Sequence, residues 1–235
     1  MAKHLERELD RLKRQILSLS AMVEESVRDA VRSLEDRDER LAAKVIEGDP
    51  EIDRVEVDLE EECLKLLALY QPVATDLRFI VAALKINNDL ERIGDLAVNI
   101  AERAQFLATH DRVDMPFDFV GMAEKARAMV KKSLDALVNL DAEAAFEVCA
   151  ADDEVDAMNR QMYLQVQEGI RRHPEQMQSL IHMLSTSRHL ERIADHATNI
   201  AEDVIYMIEG EIVRHQAEEY RSHLAEEGKG EGFPD

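Results

Sequence analysis

The sequence is poor in residues that interrupt secondary structure, since its 235 residues include only eight glycines and five prolines. Tryptophan is absent and aromatic residues make up 4%, so aliphatic side chains must form the core. Cys63 and Cys149 share no close spacing, and we interpret them as reduced core thiols. No apolar run is long enough to span a membrane, and the N-terminus is charged where a signal peptide is apolar. These absences predict a cytoplasmic protein without direct membrane insertion.

Positive charge is also scarce, because 29 lysines and arginines face 50 aspartates and glutamates and give a formal net charge of −21. Binding nucleic acid through its phosphates requires a positively charged surface, and the sequence contains no extended basic patch. We therefore expect no nucleic-acid partner. A surface this acidic suits metal ions or basic protein surfaces, although it also serves solubility alone.

What the sequence does contain is a helical pattern, in which apolar residues recur every three or four positions along most of the chain. The abundance of Ala, Leu, Glu, Arg and Met favours the same structure. The pattern predicts an all-α fold of long antiparallel helices at residues 4–34, 50–70, 74–108, 117–140, 153–172 and 175–211. A short helical piece is expected at 39–46, ending at a breaker of Gly48, Asp49 and Pro50, and another is expected to end near residue 151.

The chain repeats itself at residue level. The segment LERIGDLAVNIAE at 90–102 recurs as LERIADHATNIAE at 190–202, with ten of thirteen positions identical. Upstream the offset becomes 103, where Asp49 and Asp53 align with Asp152 and Asp156. The sequence therefore predicts two tandem, sequence-related three-helix bundles at residues 1–112 and 113–212. A C-terminal tail at 213–235 is expected to be largely disordered at its end.

Each copy of the repeated segment carries polar residues on one side of its helix, because a step of 100° per residue places four of them within an arc of about 80°. These residues are Glu91, Asp95, Asn99 and Glu102 in the first copy and Glu191, Asp195, Asn199 and Glu202 in the second. Glutamate four residues before aspartate destabilises a helix by about 0.2–0.5 kcal/mol. The repulsion occurs in both copies, which indicates that another group compensates for it.

Two further features favour metal binding. The same side of each helix is apolar nearer its start, which predicts that this part is covered; the residues are Leu77, Val81, Leu84, Met177, Ile181 and Leu184. In addition, antiparallel pairing should bring Asp53 and Glu56 beside Glu91 and Asp95, and Asp156 and Asn159 beside Glu191 and Asp195. Oxygen-rich ligands suit magnesium, manganese, iron or, less often, zinc, as divalent or trivalent ions.

Other interpretations remain open. A metal-storage or metal-dependent catalytic helical bundle would also use carboxylates, but di-iron bundle enzymes place a glutamate three residues before a histidine, and this chain has no such pair. A structural bundle whose acidic surface only maintains solubility is a further alternative. His182, His189 and His196 border the apolar side and are expected at helix contacts, although His196 adjoins Asp195 and is a weaker candidate ligand.

At these residues the sequence resembles a known family. The two copies of the repeated segment, preceded by QPVATDLR at 71–78, are similar to the PhoU family of phosphate-signalling regulators. The resemblance covers residues 3–210 and implies two three-helix bundles. The second copy differs from the first at residues 176–178, where QMQ replaces DLR, and at Ala194, which replaces Gly94.

The resemblance implies an adaptor and not an enzyme. Members of the family are cytoplasmic negative regulators of phosphate uptake and of the phosphate-starvation response. They link the ATPase subunit of the high-affinity phosphate transporter to a membrane sensor histidine kinase, and they are commonly homodimers. Some members carry metal clusters, which implies ligands here at Glu91, Asp95, Asn99, Glu191, Asp195 and Asn199, with Asp53, Asp156, Glu102, Glu202 and His196 as weaker candidates.

Overall fold

The computed structural model describes residues 2–113 and 117–211, and within these residues the regular structure is entirely helical. The six long helices are α1 (Ala2–Asp36), α2 (Glu39–Tyr70), α3 (Ala74–Ala108), α4 (Phe119–Asn139), α5 (Ala142–Arg172) and α6 (Met177–Glu209). A 3-10 turn, Pro174–Gln176, precedes α6. The all-α fold predicted from the sequence is confirmed. The predicted tail at 213–235 lies outside the described residues.

Side-chain caps and left-handed residues set the ends of several helices. Asp38, Asp118 and Asp141 each accept hydrogen bonds from backbone N–H groups in the first turn of α2, α4 and α5. Gln71 and Leu140 end α2 and α4 with positive φ angles, a conformation that stops the helix and lets the chain reverse. Short connections of this kind produce the antiparallel hairpins that the sequence predicted.

The predicted breaks before the second and fifth long helices are wrong. The predicted pieces at 39–46 and 50–70 form one continuous helix, α2, that runs through Gly48 and Pro50. A proline removes one hydrogen bond from a helix. Core residues on both sides of Pro50, including Val45 and Ile52, hold the helix in place. The break predicted near residue 151 is likewise absent, because α5 is continuous from Ala142 to Arg172.

The helices form two three-helix units that pack against each other. In the first unit α1, α2 and α3 contact one another, and in the second α4, α5 and α6 do the same. The two units meet mainly through α3 and α6, with a smaller contact between α1 and α4. The side of α3 opposite its acidic residues packs in the core, since Leu90, Ile93, Ala97 and Ile100 are all buried.

Helices α3 and α6 run antiparallel, so each end of one meets the opposite end of the other. Lys85 Nζ lies 2.6 Å from Asp203 Oδ1, and the ring of Phe106 stacks on that of His182 with 3.7 Å between centroids. Near the middle, His196 Nδ1 lies 2.7 Å from Asp89 Oδ1. Polar and aromatic contacts therefore tie the two units together along most of the length of these helices.

One prediction about surface coverage is wrong. The apolar residues that precede the acidic part of α3 and α6 are not covered, because Leu77, Met177 and Ile181 are exposed. Val81, Leu84 and Leu184 are half-buried. This side of both hairpins is therefore an accessible surface that passes from apolar to acidic side chains.

Candidate metal centre

The hairpin of α2 and α3 gathers five carboxylates in the first repeat, which we name the first acidic cluster. Its members are Asp49, Asp53, Glu56, Glu91 and Asp95. Burial raises the pKa of Glu91, and the neighbouring charges of Asp95, Asp53 and Glu56 raise it further. Burial likewise raises the pKa of Asp49, with added repulsion from Asp53 and Asp95. The carboxylates are thus close enough together to raise the pKa of Asp49 and Glu91.

The hairpin of α5 and α6 forms the equivalent second acidic cluster. Its members are Asp152, Asp156, Asn159, Glu191 and Asp195. Burial and then the charges of Asp195, Asp156 and Glu191 raise the pKa of Asp152 to about 6. Burial and the charge of Asp156 also raise the pKa of Asp195. A bound cation would relieve this repulsion in either cluster.

Sequence reasoning aligned Asp49 with Asp152 but did not include them among the candidate ligands. The structure brings each of them to its cluster, because α2 and α5 are continuous helices on which they lie one turn before Asp53 and Asp156. The predicted break at residues 48–50 concealed this relation. The signal that could have found them was the shared offset of 103, which pairs a D-x-x-x-D spacing in both repeats.

Each cluster contains a buried carboxylate oxygen without a hydrogen-bond partner. These atoms are Oε2 of Glu91 and Oδ1 of Asp152. Glu91 Oε2 lies 3.3 Å from Nε of Arg92 but outside hydrogen-bonding geometry. A buried unsatisfied carboxylate oxygen is costly, and a hard cation is a partner that would satisfy it. This observation shows that the chemistry of both clusters fits a metal ion.

A second polar pair ties the two helices beside each cluster. In the first repeat, Asn87 Nδ2 donates to the backbone oxygen of Glu56 at 2.9 Å and to its Oε1 at 3.0 Å. In the second, Ser187 Oγ donates to Oδ1 of Asn159 at 2.7 Å. Asn159 also hydrogen-bonds Glu191, which opposes the rise in that pKa. Because Asn159 stands where the first repeat has Glu56, the second cluster contains one carboxylate fewer than the first.

Close helix packing supports the first cluster at Gly94. A Cβ atom added there would lie 3.3 Å from Cγ2 of Ile52 and 3.8 Å from Oδ1 of Asp49. The absence of a side chain therefore lets α2 approach α3 where the carboxylates meet. Ala194 occupies the equivalent position of the second repeat and is fully buried.

Arginine forms direct ion pairs with carboxylates of both clusters. Arg92 Nη1 lies 3.1 Å from Asp95 Oδ2, so the repulsion between Glu91 and Asp95 is partly compensated within the chain itself. Arg192 follows Glu191 in the same way and opposes the rise in the pKa of Asp195. In addition, Asp156 Oδ2 lies 3.1 Å from Nη1 of Arg160.

The remaining predicted ligands lie beside the clusters or away from them. Asn99 Nδ2 donates to the backbone oxygen of Asp95 at 2.7 Å. His196 and Asn199 instead face the contact between the repeats, where Asn199 Nδ2 lies 3.4 Å from Asp89 Oδ1. Glu102 pairs with Arg103 at 3.5 Å, and Glu202 is half-buried.

The carboxylates do not form a ready-made metal cage. Within residues 2–113 and 117–211, no three His, Cys, Asp or Glu side chains converge closely enough to hold an ion as they stand. Loading either cluster would therefore require side-chain rotation. Across the same two ranges, no helix is long and apolar enough to cross a membrane.

Known proteins share both the sequence and the fold. The PhoU domain matches this chain twice, at residues 16–104 and 119–204. A relative from Aquifex aeolicus, named phosphate-specific transport system accessory protein PhoU homolog, is 39% identical over 95% of this chain and 98% of its own length. A relative of the same name from Pseudomonas aeruginosa is 36% identical, over 95% of this chain and 93% of its own length.

Two crystal structures have the same architecture. PhoU from Pseudomonas aeruginosa superposes with a TM-score of 0.82 at 36% identity, covering 88% of this chain and 99% of the other. The phosphate transport system regulatory protein PhoU from Streptococcus pneumoniae gives a TM-score of 0.80 at 28% identity, covering 89% and 99%. The PhoU domain matches both repeats, a relative aligns over nearly its whole length, and a PhoU crystal structure has the same fold. The chain therefore belongs to the PhoU family.

Proposed function

We propose that this chain is a cytoplasmic adaptor of the phosphate transport system that negatively regulates phosphate uptake and the phosphate-starvation response. It would do so by linking the ATPase subunit of the transporter to a membrane sensor histidine kinase, as a homodimer and without chemistry of its own. The observation that carries the proposal is the match of two PhoU domains, together with relatives of equal length that are named as accessory proteins of phosphate-specific transport.

An affinity-isolation experiment tests the adaptor role. The tagged protein, isolated from phosphate-replete cells at low salt, should retain the transporter ATPase or the sensor kinase, and a tagged unrelated acidic protein should retain neither. Deletion of the gene should leave the starvation response active in abundant phosphate. Recovery of neither partner, combined with normal repression in the deletion strain, would contradict the proposal.

The proposal includes metal binding at both acidic clusters. In the first, Glu91 and Asp95 of α3 would be joined by Asp49 and Asp53 of α2. The second would use the equivalent residues Asp152, Asp156, Glu191 and Asp195. The orphaned oxygens of Glu91 and Asp152 support this assignment, because a cation would supply the partner they lack. Iron, manganese, magnesium and zinc all accept oxygen ligands, and such an ion would neutralise the repulsion among the carboxylates of each cluster.

Elemental analysis of protein purified without a metal-affinity tag tests this part. Wild-type protein should carry metal, and the double variant Asp95→Asn/Asp195→Asn should lose most of it, since each cluster then has one ligand charge fewer. The matched control, Glu124→Gln/Asp135→Asn on the exposed side of α4, removes the same charge elsewhere and should retain the metal. Equally low metal in all three proteins would refute metal binding.

A further inference from the structure

A shallow groove lies between α5 and α6. It extends from the second acidic cluster toward the turn that joins the two helices. It encloses about 550 Å³ and is lined by Asn159, Arg160, Tyr163, Leu164, Leu184, Arg188 and Glu191. Its lining passes from apolar side chains near the hairpin turn, through two arginines, to the acidic cluster. We name this surface the α5–α6 groove.

Four apolar side chains in or beside the groove retain about half or more of their solvent-accessible surface. Tyr163 and Leu164 retain 52% and 65% of their accessible surface, and on α6 the neighbouring Ile181 and Met177 retain 50% and 47%. From Met177 to Arg188 the helix extends ~17 Å, or three turns. Tyrosine, arginine and methionine are enriched in the central part of protein interfaces, and an apolar groove is one of the surfaces on which an amphipathic helix docks.

The two arginines supply the positive charge of the groove, although the chain as a whole has a net charge of −21. The side chain of Arg160 is 66% exposed although it pairs with Asp156 on its own helix. Arg188 is exposed, and its charge opposes the rise in the pKa of Glu191. Exposed guanidinium groups flanking apolar side chains complement a segment that carries both carboxylates and an apolar face.

The first repeat also exposes apolar side chains on this side, but it lacks the two arginines and the adjacent tyrosine and leucine. The equivalent positions on α2 are Val57 for Arg160, Glu60 for Tyr163 and Glu61 for Leu164, and Asn88 on α3 stands for Arg188. An acidic segment would therefore be repelled from the first hairpin. This difference between otherwise matching hairpins restricts the occupant to one half of the molecule.

From these observations we infer that the α5–α6 groove docks an acidic amphipathic helix of a protein partner, with its carboxylates on Arg160 and Arg188 and its apolar side on Tyr163, Leu164 and Leu184. The acidic cluster beyond Arg188 ends the docking surface, because it repels further negative charge. The inference extends the adaptor function proposed above by assigning it one docking surface. The measurement below uses neither transporter nor kinase, so its outcome is separate from that of the affinity isolation.

The probe is a pair of labelled helical peptides of about 14 residues, or ~21 Å, with the same leucine face. One carries glutamate on its polar side and the other carries glutamine. Fluorescence anisotropy in the presence of EDTA should show the glutamate peptide binding about tenfold more tightly than the glutamine peptide, with an advantage that falls as salt is raised.

Three variants locate the binding. Arg160→Gln/Arg188→Gln should weaken the glutamate peptide about tenfold, and Tyr163→Ala/Leu164→Ala should weaken both peptides by a similar factor. The matched control, Val57→Glu/Asn88→Glu in the first repeat, lowers the net charge by the same two units and should leave both affinities unchanged. All these positions are exposed, and thermal unfolding of each variant verifies that the fold is retained.

Four outcomes would overturn the inference. The first is equal affinity for the two peptides, and the second is equal weakening by the control and by the arginine variant. A third is tighter peptide binding after deletion of residues 212–235, which would make the chain's own C-terminal segment the occupant. The last is loss of self-association in Tyr163→Ala/Leu164→Ala during analytical ultracentrifugation, which would make a second copy the occupant.

Discussion

The two acidic clusters occupy equivalent hairpins but balance their charge differently. The first has five carboxylates and a direct ion pair from Arg92 to Asp95, with its fifth carboxylate, Glu56, held by Asn87. The second also has a direct ion pair, from Arg160 to Asp156, but it replaces Glu56 with Asn159 and contains Asp152, whose pKa rises to about 6. Duplication has therefore kept the positions of the carboxylates while changing the groups that surround them. We expect two cation sites that differ in strength.

The largest expected effect separates the two clusters by their metal content. Glu91→Gln/Asp95→Asn should empty the first cluster, and Glu191→Gln/Asp195→Asn the second, so each variant should lose about half of the metal. Elemental analysis combined with competition by a graded chelator measures both amount and affinity. Loss of all metal from either variant would show that the ions form one shared site and not two.

The next effect concerns the polar ties beside the clusters. Asn87→Ala removes two hydrogen bonds to Glu56 from a buried position and should lower the free energy of unfolding by ~2 kcal/mol. Ser187→Ala removes one bond to Asn159 and should cost ~1 kcal/mol. Urea unfolding at neutral pH measures both. A larger loss for Ser187→Ala would contradict the view that the first hairpin depends more on its tie.

A smaller effect is the pH dependence contributed by Asp152. Its pKa in the folded protein lies above its ordinary value of 3.8, so the folded state disfavours the ionised form. Its contribution to the free energy of unfolding is therefore complete below about pH 4 and is lost as the pH rises through about 6. Because the group is half-exposed and screened, we expect ~1 kcal/mol from it.

Metal-free Asp152→Asn should accordingly show a flatter stability profile than wild type between these pH values. Asp49→Asn should flatten the profile less, because two neighbouring carboxylates raise the pKa of Asp49, whereas four raise the pKa of Asp152. Denaturant unfolding at closely spaced pH values provides the comparison. Identical profiles for Asp152→Asn and wild type would show that this carboxyl titrates normally.

The smallest effect exchanges the residues at the closest helix approach. Ala194→Gly should destabilise the second repeat by ~1 kcal/mol through lost helix propensity. Gly94→Ala should gain less than this amount, because the added methyl group would lie 3.3 Å from Ile52. Unfolding curves of the two variants settle the comparison. A full gain from Gly94→Ala would show that Ile52 yields without cost.

The periodic pattern and the repeat predicted the helical class and the facing carboxylates, because both depend on spacing along a helix. What sequence reasoning missed depended on tertiary packing. Gly48 and Pro50 indicated a break, yet burial of Val45 and Ile52 carries the helix through them and brings Asp49 into the first cluster. Similarly, His196 adjoins Asp195 in sequence, but its side chain hydrogen-bonds with Asp89 of the other repeat.

The antiparallel contact of α3 with α6 has a consequence for how freely the two repeats can differ in sequence. The two helices carry copies of one repeated segment and pack against each other in antiparallel orientation. That is the geometry of a symmetric dimer of single repeats, in which α3 of one copy would meet α3 of its partner. Because both copies lie in one chain, the two sides of this contact need not be identical, and Asp89 meets His196 where the equivalent residues are His189 and Leu96.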